Sequence, residues 1–211
     1  MQKVYIFDLD GTLIDSMSVF SGVVLDFLNK HDISYPDDIV LTLTPLGYIG
    51  AAKYIADHFS GSYRAEDVYE QLKEEALRAY GATIPLKANV KETLEGLKVQ
   101  GHRLNVLTAS PQIFINACLK RLGVYDLFEK AWSIDDFGLT KADEKIYLEA
   151  AKRLGVSPEA CIMVDDNLNV LKTAKRAGMA TIGVYDDSSE DVMEEMRAIA
   201  DKYAVDFADL L

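Results

Sequence analysis

An α/β fold with a central parallel sheet is predicted by three observations: short apolar runs recur along the chain, helical periodicity fills most intervals between them, and Gly, Pro and Asn mark the joins. The runs are 3–7 (KVYIF), 103–108 (RLNVLT), 130–134 (KAWSI), 161–164 (CIMV) and 180–184 (ATIGV). Their near-continuous apolar character suits strands covered on both faces. Between them, Ser110-Pro111 opens a helical segment that closes at Gly123, and Asn167 opens another that closes at Gly178. Gly101 ends the helical stretch 90–100.

Residues 14–85 break the alternation. No buried strand is readable there, only three amphipathic helical stretches near 17–30, 48–59 and 65–79. Pro36, Pro45 and Pro85 punctuate the segment, and Gly61 separates its second and third helices. Asp15 and Ser16 are expected to cap the first. The organisation expected is therefore a core of residues 1–13 and 86–211 with a small all-helical domain, 14–85, inserted after the first strand.

The chain has 211 residues, 49% of them hydrophobic, enough for one full core and a smaller appendage. Its formal net charge of -12 repels nucleic-acid backbones and anionic membrane surfaces. Neither a signal-peptide pattern at the N-terminus nor a membrane-length apolar stretch is present in the sequence, so a cytoplasmic protein is expected. Cys118 and Cys161 lie in apolar surroundings without metal-ligand spacing and read as buried thiols.

The chemistry is concentrated where strands end. In an open parallel sheet, ligands bind outside the carboxyl ends of the strands, near the point where strand order reverses. The first strand runs into Asp8 and Asp10 (DLDGT), the second into Thr108, Ala109 and Ser110 (VLTAS), and the fourth into Asp165 and Asp166 (MVDDN). Lys141 lies just before a helix in LTKADEKIY, where Thr140 and Asp143 have capping-box spacing. Clustered carboxylates raise one another's pKa unless a cation compensates, and hard oxygen ligands suit Mg²⁺. The helix N-terminus after Ser110 and the Thr108 hydroxyl suit a phosphoryl oxygen, and Lys141 adds a point charge for the same anion. An aspartate facing a bound phosphoryl group can attack it, and Asp10 can give a proton to the leaving oxygen and later take one from water.

These four motifs, in this order, resemble those of the haloacid dehalogenase superfamily, in its phosphatase and phosphoglucomutase-like subgroup. The resemblance covers nearly the whole chain. It implies a Rossmann-like three-layer sandwich with a small helical cap, 14–85, that closes over the site. It also implies Asp8 as covalent nucleophile, Asp10 as general acid and base, and Thr108 with the Ala109 amide as phosphate ligands. Lys141 then neutralises charge on the nucleophile and the phosphoryl group, and Asp166 with Asp165 supports Mg²⁺, held also by Asp8 and the Asp10 main-chain carbonyl. Ala142 stands where relatives often have Pro, and Asn167 where Ser is usual; both keep the essential groups.

The expected function is a Mg²⁺-dependent phosphatase acting on a small phosphorylated metabolite, as a monomer. A phosphosugar mutase is the alternative within the superfamily; against it, Phe20 and Phe27 are expected at the cap entrance and 42–50 (TLTPLGYIG) lacks a basic residue. A dehalogenase would need neither Asp10 nor a metal cage. A non-catalytic phosphate-binding module would not need all of Asp8, Asp10, Thr108, Lys141 and Asp166. His31, His58 and His102 read as helix-end or surface residues, Trp132 and Tyr147 as packing, and the acidic stretch 186–201 as a solvated helix face.

Overall fold

The computed structural model describes residues 2–59 and 63–211. Six strands, β1 (Val4–Phe7), β2 (Arg103–Thr108), β3 (Lys130–Ser133), β4 (Cys161–Asp165), β5 (Ala180–Val184) and β6 (Lys202–Ala204), form one parallel sheet in the order β3-β2-β1-β4-β5-β6. The order reverses beside β1, which pairs with β2 on one side and β4 on the other. All four β1 residues are buried, as its unbroken apolar run requires.

Register fixes where the polar residues emerge. Phe7 lies level with Val106 and with Val164, and the Asp8 N–H continues the ladder to the Val164 carbonyl at 2.9 Å. Asp8, Thr108 and Asp165 therefore leave the sheet at one carboxyl edge, at the switch point.

The helices are α1 (Met17–Lys30), α2 (Ile39–Leu43), α3 (Gly47–His58), α4 (Ala65–Ala82), α5 (Val90–Val99), α6 (Gln112–Arg121), α7 (Glu144–Arg153), α8 (Leu168–Arg176) and α9 (Met193–Ile199). The chain divides into two compact units, one of Met1–Asp15 with Pro85–Leu211 and the other Ser16–Ile84. In the first, α7, α8 and the strands bury Ile6, Leu107, Ile146, Tyr147, Met163 and Ala174 in a common cluster. In the second, Val24, Leu28, Ile55, Leu72 and Ala76 are fully buried where α1, α3 and α4 meet. Gly61, read as the separator of the second and third insert helices, lies outside the described residues.

Several local expectations are corrected. Ser16 occupies the N-cap position of α1 but makes no side-chain cap bond. The cap of α7 is Asp143, whose carboxylate accepts from the Lys145 N–H at 2.9 Å, so the helix begins three residues beyond Lys141 and Thr140 is no cap. Pro111 is the N-cap residue of α6, within the expected Ser110-Pro111 opening. Phe27 is buried inside the helical unit, its ring 4.4 Å from that of His31. Elements α2 and β6, of five and three residues, are too short to show a period and escape sequence reading. The stretch 186–201 is not wholly solvated either: Asp186 and Met196 are buried.

Candidate active site

The turn after β1 is set by Gly11, whose φ of +76° lies in the left-handed region. A Cβ there would meet Asp166 Oδ2 at 2.5 Å, so the turn and the β4 terminus approach too closely for any other residue. Thr12, next in the chain and fully buried, donates its hydroxyl proton to Asp166 Oδ1 at 2.7 Å and accepts from the Asp166 N–H at 3.1 Å.

Asp8, Asp165 and Asp166 are all buried and offer carboxylate oxygens within 4.8 Å of one another. Lys141 donates to Asp8 Oδ1 and, at 2.8 Å, to Asp165 Oδ2. Asp165 also accepts from the Asn167 N–H at 2.9 Å, while Asn167 itself caps α8. Tyr147, buried in the core cluster, donates its hydroxyl to the Lys141 carbonyl at 2.7 Å and so anchors the loop that carries the ammonium.

Electrostatics follow from this crowding. Burial, helped by Asp165, Asp166 and Asp10 and opposed by Lys141, lifts the Asp8 carboxyl well above the usual range. The Asp166 carboxyl is pushed up to about 7, by burial first and Asp165 second, against the hydrogen bond from Thr12. Burial works against the Lys141 ammonium, but Asp165 and then Asp8 outweigh it and raise its pKa. Three crowded carboxylates, of which Asp8 and Asp165 are joined among the described residues by the Lys141 ammonium, form a hard, anionic oxygen set that fits a divalent cation such as Mg²⁺.

The residues at the end of the second strand contact the Asp10 carboxylate. Ser110 Oγ donates to Asp10 Oδ2 at 2.6 Å, Thr108 Oγ1 is 3.5 Å from the same oxygen, and the Ser110 N–H donates to Thr108 Oγ1 at 3.1 Å. Thr108 is buried and Ala109, next in the chain, is exposed. The structure thus brings Asp8, Lys141, Asp165 and Asp166 into one cluster and Asp10, Thr108 and Ser110 into an adjoining one, with Asp8 and Asp10 linked through the turn.

Sequence reasoning took Tyr147 for packing alone and gave no role to Lys87 or Asp186. Lys87 donates from its ammonium to the Gly11 carbonyl, the Tyr185 carbonyl and Asp186 Oδ2, at 2.7, 2.6 and 2.9 Å. The one signal pointing to it was its place two residues after Pro85, where the chain returns from the insert.

The family model for haloacid dehalogenase-like hydrolases matches residues 2–178. Hexitol phosphatase B of Escherichia coli (strain K12) is 30% identical over 182 residues, covering 85% of this chain and 82% of its own. Phosphoglycolate phosphatase of Mannheimia succiniciproducens is 30% identical over 221 residues, covering 99% of this chain and 96% of its own. The crystal structure of CbbY from Rhodobacter sphaeroides in complex with phosphate matches with a TM-score of 0.82 at 22% identity, over 100% of this chain and 96% of that one, a likeness of fold.

Proposed function

The chain belongs to the haloacid dehalogenase-like hydrolase family, and from that premise we propose that it is a Mg²⁺-dependent phosphatase hydrolysing a small phosphomonoester through an aspartyl-phosphate on Asp8. The observation that carries this reading is the packing of Asp8 against Asp165, Asp166 and the Lys141 ammonium at the carboxyl end of the central strand.

In this reading Asp8, Asp165 and Asp166, with the Asp10 carbonyl, hold the ion, which when bound offsets the charge of carboxylates and phosphoryl oxygens. Thr108, the Ala109 amide, Ser110 and Lys141 hold the phosphoryl group. A carboxylate oxygen of Asp8 attacks phosphorus as the ester P–O bond breaks, and Asp10 gives its proton to the departing oxygen. Asp10 then takes a proton from water, whose oxygen attacks the phosphorus and returns Asp8 as a carboxylate. The Ser110 hydroxyl and Thr108 beside Asp10 orient its carboxyl for both transfers.

The helical unit acts as the cap and selects the leaving group. Its Phe20 and Tyr48 rings lie 5.0 Å apart, and Leu46 and Ile49 are exposed nearby in sequence, which favours a compact leaving group with some apolar surface. The names of the relatives, hexitol phosphatase and phosphoglycolate phosphatase, support a small phosphorylated metabolite as the substrate class.

The test is phosphate release from a panel of small phosphomonoesters with Mg²⁺, with EDTA, and by the Asp8→Asn variant. Turnover that needs both Mg²⁺ and Asp8 is expected. Isomerisation of a sugar phosphate without net phosphate release would replace this reading with a mutase. Mg²⁺ binding with neither activity would replace it with a binding module.

A further inference from the structure

Lys87 sits in the core unit, on the segment that follows the insert. There the Lys87 N–H donates to the Leu13 carbonyl at 3.0 Å and the Asp15 N–H to the Pro85 carbonyl at 3.1 Å. A lysine ammonium has three donors, and the Lys87 ammonium spends them on Gly11, Tyr185 and Asp186 at 2.7, 2.6 and 2.9 Å. Its side chain is 20% exposed and that of Asp186 6%, so the pair is largely withdrawn from water.

A withdrawn ion pair is weak evidence for stability, because desolvation offsets much of the attraction. What needs explaining is the choice of acceptors. Two of the three are main-chain carbonyls from separate loops at the carboxyl edge of the sheet, one after β1 and one after β5. No apolar residue could hold two such carbonyls together, since each would be left without a donor. The Gly11 carbonyl also belongs to the turn that carries Asp10 and that Thr12 ties to Asp166. That turn is therefore held at Thr12 by β4 and at Gly11 by Lys87.

We infer that Lys87 is a positioning residue that holds the Gly11 peptide, and with it Asp10 and Thr12, in register with Asp166, and so sets Mg²⁺ affinity and the rate of the chemical step. The rate part rests on the phosphatase reading above; the metal part stands without it.

The test is Lys87→Ala, read by calorimetric titration with Mg²⁺ in the absence of substrate and by steady-state hydrolysis of p-nitrophenyl phosphate. Loss of an outer supporting contact weakens metal binding or activity by about 10–100-fold. Both Mg²⁺ affinity and kcat are expected to fall by about tenfold or more, with KM changed less than about threefold because Lys87 touches no substrate. Propylammonium matches the atoms removed beyond Cβ and is expected to recover much of both losses. Tetramethylammonium, which carries charge but no N–H donor, is expected to recover neither. Asp186→Asn keeps the two carbonyl bonds and is expected to lower Tm while leaving Mg²⁺ affinity within about twofold. If Lys87→Ala does not fold, the charge-free pair Lys87→Met with Asp186→Asn takes its place. Mg²⁺ affinity within about twofold of wild type in either folded variant, or equal recovery by tetramethylammonium, overturns the inference. A wild type without turnover whose Lys87 variants still lose Mg²⁺ affinity would sink the phosphatase reading and leave the positioning role standing.

Discussion

Thr12 and Asp166 make a reciprocal pair: the hydroxyl donates to Oδ1 at 2.7 Å and accepts from the Asp166 N–H at 3.1 Å. One side chain thus satisfies the main chain of β4's terminal loop and fixes a rotamer of its carboxylate. Thr12→Val keeps the shape and removes both bonds, leaving a buried N–H without a partner. It should destabilise the protein by about 1–3 kcal/mol and weaken Mg²⁺ binding, whereas Thr12→Ser should stay near wild type. Urea unfolding in EDTA, with Mg²⁺ titration, checks both; equal behaviour of the two variants would count against the pair.

Gly11→Ala tests the close approach behind that pair. The residue would have to adopt a φ of +76° with its Cβ 2.5 Å from Asp166 Oδ2. The left-handed backbone alone costs about 1–2 kcal/mol for an L-residue, and the clash must also displace the carboxylate. The expected result is lower stability together with weaker Mg²⁺ binding. A loss of stability with unchanged metal affinity would mean that the turn yields and Asp166 does not.

How much of this could be read from the sequence depends on the distance over which each signal acts. Five of the six strands were legible as apolar runs, and the ends of β1 and β4 stood out because adjoining carboxylates after buried residues need compensation. Lys87 was not legible, since its acceptors lie 76, 98 and 99 residues away and no spacing rule joins them. Tyr147 was legible only in part: helical position explains the burial of its ring, but the hydroxyl bond to the Lys141 carbonyl depends on the path of a loop. Short elements such as β6 fail for another reason, as three residues carry no period.

Lys141→Met should separate the metal-free protein from the loaded one. The ammonium lies against Asp8 and Asp165, both buried. Removing it leaves uncompensated buried carboxylates, a change that costs about 3–5 kcal/mol in comparable pairs. In the proposed function Mg²⁺ supplies charge to the same carboxylates, so the rise in Tm on adding Mg²⁺ should be larger in the variant than in wild type. Turnover should nonetheless be lost if, as proposed, Lys141 also holds the phosphoryl group. A smaller Mg²⁺-induced rise in Tm would argue that Lys141 and the ion do not share these oxygens.

Asp10→Asn should uncouple the two halves of the reaction. General acid–base groups contribute about 10²–10⁴-fold, so kcat on alkyl phosphates should fall within that range. An aryl leaving group needs little protonation, however, whereas attack by water on the proposed aspartyl-phosphate still needs a base. With p-nitrophenyl phosphate the variant should release a burst of nitrophenol close to one equivalent of enzyme, followed by a slow phase. Linear release without a burst would place the role of Asp10 in the first step alone.

The Lys87–Asp186 pair gives a pH dependence whose sign follows from the geometry. Burial pushes the Asp186 carboxyl upward, but hydrogen bonds from Ser188 and Lys87 outweigh it and hold its pKa below the usual value of 3.8. A carboxyl depressed by folding binds fewer protons folded than unfolded between those two values, so stability must fall as pH drops through the window. The contribution is therefore complete above the unfolded value and is lost below it. Asp186→Asn cannot titrate, so the stability gap between wild type and variant should be widest at pH 6–7 and shrink as pH falls below about 4. Urea unfolding of both proteins in EDTA across that range measures the gap. A gap that stays constant with pH would show that the ionised carboxylate is not what Lys87 and Ser188 stabilise.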